Sequence, residues 1–233
     1  LLHHLAASDD EEARAILDGV VLLVLPSHNP DGTQLVAEWH RRQAGTPFED
    51  TSPPVLYQTY VGHDNNRDWY AFTQQETRLT VEQLYHRWHP QIVHDVHQMG
   101  ARGPRLIVPP YADPWDPNVD PALVAAANAL GAHVASRLTT AGTPGVVTGA
   151  LFDAGTPGRA YPHTHGGVRV LSETASARLA SPALVREEEL AAGEVDWRAA
   201  SASFPLPWAG GTWRLGDVVE TQLRASLALL ADA

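Results

Sequence analysis

The chain has no cysteine and no lysine; all 16 of its basic side chains are arginine. Without cysteine there are no disulfides and no thiolate ligands, so any metal must rest on histidine and carboxylate donors, a set that suits zinc among others. The compartment stays open. Against 27 Asp and Glu residues the arginines leave a formal net charge of -11. Such a balance argues against nucleic acid and anionic membrane surfaces as partners, though not against a small positive pocket inside an acidic shell. No apolar run reaches membrane-spanning length. The longest, Val20 to Leu25, reads as a buried strand by its length and β-branching. The opening Leu1-Leu2-His3-His4 has neither an initiator Met nor the charged n-region of a secretory signal, and we expect the chain to be cut from a longer protein. Its 233 residues are enough for one large core, so residues 1–233 are read as a single domain.

Strand and helix signals alternate along the chain. Residues 11–18 read as a helix stopped by Gly19, followed by the Val20–Leu25 strand. Asn29-Pro30-Asp31-Gly32 reads as a turn, and 33–42 as a short helix. Residues 43–68 form a long loop with a strand candidate at 55–60, and loops of that length in compact domains usually serve function. Amphipathic spacing predicts a helix over 73–88, ended by Pro90, and then a strand over 91–97. Asp120-Pro121 opens a helix to about 139. Further strands are predicted over 146–148 and 168–171, a helix from Ser181-Pro182 to 192, and a last helix from Asp217 to Leu230. The pattern predicts an α/β fold with a mostly parallel or mixed central sheet and helices on both faces. In such sheets sites lie beyond the carboxyl ends of strands, which selects His97 and Glu173.

Four segments carry chemistry. Gly-His-Asp-Asn-Asn-Arg-Asp-Trp, residues 62–69, sets Asn66 beside Arg67 in a polar loop. A guanidinium can fork two donors onto one carboxylate, and a neighbouring carboxamide can bind the same anion. His-Asp-Val-His-Gln-Met-Gly, residues 94–100, puts Asp95 and His97 on one side of a strand, where the carboxylate can orient the imidazole; His94 faces the other way. Leu-Ser-Glu-Thr-Ala, residues 171–175, places the carboxylate of Glu173 in an apolar strand, which is costly unless it has a partner or a task. A salt bridge to Arg169 or Arg178 is the structural alternative. The fourth segment is the Asn-Pro-Asp-Gly turn itself, with Arg41 and Arg42 downstream.

In this order and spacing the four resemble the zinc metallocarboxypeptidases of the carboxypeptidase A superfamily, and Glu-Thr-Ala-Ser-Ala-Arg-Leu-Ala, residues 173–180, is similar to one bacterial branch. The resemblance runs from the helix before Val20 to the last helix. It implies a carboxypeptidase-like Zn-peptidase fold and a hydrolase removing C-terminal residues from peptides. His97 becomes a zinc ligand. Glu173 becomes the general base, then acid, of a metal-activated water. Arg41 would stabilise the oxyanion, and Asn66 with Arg67 would bind the terminal carboxylate. The family often carries a tyrosine on a mobile loop, here the region 150–162; Phe152 is nearest by spacing, and Tyr161 is the tyrosine available there. His163-Thr-His165 reads as a mobile loop.

One motif is missing. None of the twelve histidines is followed three residues later by Glu, so the family's first two zinc ligands are absent; we expect them upstream of Leu1, the alternative being a natural chain that has lost them. Zinc should then bind this chain weakly or not at all, and activity should belong to an intact parent. Two other readings stay open: a zinc-dependent deacylase of N-acyl amino acids from the same superfamily, and a metal-free peptide-binding domain. A secreted or periplasmic setting is compatible with the resemblance.

Overall fold

The computed structural model describes residues 1–58, 60–150, 160–191, 193 and 195–233. Two helices open it, α1 (Leu2–Ala7) and α2 (Glu11–Gly19). Asp10 caps α2 by accepting from the Ala13 N–H at 2.7 Å, and Glu11 and Glu12 follow in the first turn, where the helix dipole favours acids. Leu5, Ala13 and Ile16 bury together with Leu22 against Leu227 and Leu230 near the other end of the chain.

Val20 to Leu25 is not a strand. Val21 is 78% exposed and Leu25 47%. Apolar β-branched residues favour an extended chain, but a strand also needs a neighbour for its N–H and C=O groups, and no ladder forms here among the described residues. The Asn-Pro-Asp-Gly segment is the start of a helix rather than a free turn: α3 (Pro30–Gln43) begins with Pro30 in its first turn, and the Asn29 side chain accepts from the Gly32 N–H at 2.8 Å. The strand expected over 55–60 is also absent among the described residues, since Val55 and Leu56 are 60% and 61% exposed and have no face to bury.

The amphipathic helix past residue 73 is present as α4 (Gln75–Thr80), a π-helical turn (Val81–Tyr85) and α5 (His86–Trp88), ended by His89 in the left-handed region. Then come β1 (Ile92–Met99), β2 (Leu106–Ile107), α6 (Pro121–Thr140), β3 (Val146–Val147) and β4 (Val168–Ala175). These strands make a mixed four-stranded sheet in the order β1-β4-β2-β3. β1 runs parallel to β4, β2 parallel to β3, and β2 antiparallel to β4. β4 is buried along all eight residues.

Ser181-Pro182 does not start a helix. The segment becomes β5 (Ala183–Val185), paired antiparallel with β6 (Gly211–Trp213), followed by a 3-10 turn at Glu187–Ala191. Ala183 and Val185 are buried while Leu184 is 68% exposed, a period of two that belongs to a strand. The chain ends in α7 (Leu215–Leu230), where Asp217 accepts from the Arg214 N–H at 2.7 Å.

Strand parity separates the two faces of the sheet. Leu106, Val146, Val168 and Val170 pack against Ala127, Val134 and Leu138 of α6 and Ala225, Ala228 and Leu229 of α7. Ile107, Val147 and Leu171 turn to the opposite face and meet Tyr111 and Phe204.

Candidate active site

The register of β1 on β4 assembles the candidate site. Val93 lies beside Arg169, Asp95 beside Leu171 and His97 beside Glu173. Side chains two apart share a face, so Asp95, His97, Arg169 and Glu173 all project from the face opposite α6 and α7. His97 and Glu173 therefore lie within their strands, not past the ends as the strand-end rule predicts; the ladder runs on to Met99 and Ala175.

Asp95 is the hub. It accepts from Nε and Nη2 of Arg169 at 2.9 and 2.7 Å through one oxygen, and meets His97 Nε2 at 2.7 Å through the other. Burial opposes its ionisation, but the Arg169 guanidinium and the His97 hydrogen bond hold its pKa well below the usual carboxylate range. For His97, burial disfavours the charge, while the hydrogen bond and charge of Asp95 raise the pKa overall. With Nε2 on Asp95, Nδ1 is the ring nitrogen left for another partner.

Glu173 is 5% exposed, and its Oε2 has no hydrogen-bond partner among the described residues. Burial pushes its pKa up and Asp95 adds to this, while His97, Arg169 and Arg67 pull the other way; the net shift is upward. Neither expected salt bridge occupies it. Arg169 is taken by Asp95, and Arg178 pairs with Asp50 at 2.8 Å.

Asn66 and Arg67 sit in a 3-10 turn, Asn65–Arg67, capped by Asp64. The next residue, Asp68, is fully buried and fixes the turn. It accepts from His63 Nε2 (3.0 Å), Thr73 Oγ1 (2.5 Å) and the Thr73 and Gln74 N–H groups (3.1 and 2.9 Å), and despite burial these donors bring its pKa down to about 2. Arg67 remains 44% exposed, bonded through Nη1 to the Asn66 carbonyl, and its charge reaches Glu173. Arg41 lies in the last turn of α3, exposed, with no hydrogen bond or ion pair among the described residues; it is not among the charges acting on Glu173.

Phe152 lies outside the described residues. Tyr161 is 7% exposed and stands in a 3-10 helix, Tyr161–His165. Its ring packs among Trp69, Phe72, Tyr85 and His165, and its hydroxyl meets His86 Nε2 at 3.1 Å. It is therefore a packed residue here. The same helix replaces the mobile loop expected for His163-Thr-His165: His163 is 5% exposed, and burial takes its pKa down to about 4.

Residues 1–96 match the family model for zinc carboxypeptidases. The zinc carboxypeptidase match takes in Asn66, Arg67 and Asp95, and stops one residue short of His97. No curated protein and no solved structure matches the chain. The zinc implied by that family meets only part of its donor set: among the described residues no group of three or more His, Asp or Glu side chains converges. His97 supplies one imidazole with its orienting carboxylate, so these residues alone do not fit a zinc carboxypeptidase centre.

Sequence reasoning missed two residues. Arg169, considered only as a partner for Glu173, instead anchors Asp95. Gln222 on α7 touches the backbone of both site strands. Neither had a local signal, because both contacts depend on register and on how α7 packs.

Proposed function

We propose that the protein is a hydrolase of the zinc carboxypeptidase type, acting on the C-terminal end of peptides. The observation that carries this reading is the adjacent His97 and Glu173 on one sheet face, with Arg67 close enough for its charge to act on Glu173. Asn66 and Arg67 bind the free carboxylate of the substrate. Glu173, desolvated and raised in pKa, takes a proton from the attacking water and returns it to the leaving amine, which needs a pKa near working pH. Asp95 holds the His97 ring with Nδ1 free. Arg41 is kept as the oxyanion partner on the strength of the resemblance; the exposed side chain would have to swing inward on substrate binding. Zinc, where bound, supplies Lewis acidity in this family, and donors beyond His97 would come from outside the described residues.

The test uses one peptide in free-acid and amide forms, titrated against the chain with tryptophan fluorescence as the signal, since Trp69 lies two residues past Arg67. The free acid should bind more tightly by about 2 to 5 kcal/mol, because blocking one partner strands a desolvated charge. Arg67→Ala should cost a similar amount on the acid and little on the amide, since both changes remove one contact. Equal binding of acid and amide by the unmodified protein would rule out the exopeptidase reading.

A further inference from the structure

Behind the candidate site, on the face turned to α7, the sheet carries a closed polar network inside apolar packing. Its members are His94 of β1, Ser172 of β4, and Gln222 and Ser226, one turn apart on α7. Ser172, Gln222 and Ser226 are 0%, 8% and 6% exposed. Around Ser172 the direction of the hydrogen bonds is fixed. Ser172 Oγ donates to Gln222 Oε1 at 2.8 Å, so His94 Nε2, 2.8 Å from Ser172 Oγ, is the donor there. Ser226 Oγ, whose proton goes to the Gln222 carbonyl oxygen at 2.8 Å, lies 3.3 Å from His94 Nδ1. The remaining group, Gln222 Nε2, donates to two backbone carbonyls, His97 O at 3.1 Å and Ser172 O at 3.3 Å.

Those carbonyls belong to His97 itself and to the peptide unit that leads into Glu173. One carboxamide thus grips both site strands at the level of the two residues read as reacting groups. An apolar side chain would fill the same space beside Ala225 and Val218 without any polar group to satisfy. A buried hydrogen-bonded network instead favours one geometry.

We propose that Gln222 is a positioning residue: from the far side of the sheet it sets the separation of His97 and Glu173. This rests on the hydrolase reading above. It adds a residue of α7, in a part of the chain outside the family match, to the working parts of the site.

The experiment has two arms. In the unmodified chain, labelled with 15N on glutamine side chains and 13C on carbonyls, through-hydrogen-bond couplings should connect Gln222 Nε2 to the His97 and Ser172 carbonyls. Their absence overturns the proposal whatever the variants do. In the second arm Gln222→Met is compared with Ser226→Ala, which belongs to the network but touches neither carbonyl. In Gln222→Met the ring signals of His97 and the carboxyl signal of Glu173 should shift while those of Arg67 stay. In zinc-loaded protein kcat should fall about 10- to 100-fold with KM changed less than about twofold, as expected for slightly misplaced groups. Ser226→Ala should leave both constants alone. If Gln222→Met does not fold, Gln222→Asn, whose amide stops one methylene short, takes its place. Unmoved His97 and Glu173 signals, or equal losses in the Ser226 variant, overturn the proposal. Should Glu173→Gln keep normal turnover, the hydrolase reading itself fails; should it lose turnover while Gln222→Met does not, only the positioning role fails.

Discussion

At the scale of single residues, the distinction that matters is between two carboxylates saturated with donors and a third, Glu173, that is not. Asp68 and Asp95 are saturated with donors and held ionised, whereas Glu173 is buried with one oxygen unpaired and has its pKa raised. Saturated carboxylates hold geometry; a desolvated, unsaturated one can exchange a proton. Replacing Glu173 by Gln keeps the volume and removes the base. In zinc-loaded protein, substrate affinity should survive while turnover drops about 100- to 10,000-fold, the usual worth of general acid-base catalysis. Steady-state kinetics checks this, and near-normal turnover would make Glu173 a structural residue. The contact of Asp95 with His97 was legible in the sequence, because two residues apart on a strand is a local pattern. The anchoring of Asp95 by Arg169 joins residues 74 positions apart and required the register.

At the scale of elements, close packing outranks propensity. A Cβ on Gly131 of α6 would come 2.3 Å from the Pro109 carbonyl oxygen, nearer than any real contact. Gly131→Ala should gain up to about 1 kcal/mol of helix propensity but lose about 1 to 3 kcal/mol to overpacking, for net destabilisation in denaturant titration. A rise in stability would mean that α6 can shift away from the sheet. His94 gives β1 a pH dependence. Burial lowers its pKa to about 4, from the 6.5 of an ordinary histidine. The unfolded chain therefore binds the proton first, and the stabilisation present above pH 6.5 is lost as pH falls toward 4, by about 3 kcal/mol for this group. Unfolding free energies measured across that window should show the decline, and His94→Gln should flatten it in part; His163, also near 4, contributes with the same sign. The misreadings of elements share a cause. Val20 to Leu25 has strand composition without a ladder partner, and Ser181-Pro182 has the chemistry of a helix start but feeds a segment with strand alternation. The two-residue strand β2 is too short for any periodicity to show, whereas β3 falls inside the strand expected over 146–148.

At the scale of the whole molecule, the alternation of strand and helix correctly gave an α/β fold with a mixed sheet, while the strand order could not be read because it depends on which edges meet. The donor count is also a property of the whole. One oriented imidazole falls far short of the roughly 10 kcal/mol that full coordination supplies to structural zinc. Calorimetry on this chain should therefore find no stoichiometric sub-micromolar zinc site, and finding one would reveal donors not recognised here. Finally, the two halves of the candidate site rest on unlike parts of the fold. Glu173 sits on β4, the strand paired on both sides and buried throughout, whose amides open only when the molecule does. Arg67 sits on an exposed 3-10 turn held mainly by one carboxylate. On the proposed reading such a site would keep slow time at its chemical end and fast time at its recognition end, releasing chain termini many times while Glu173 holds its place.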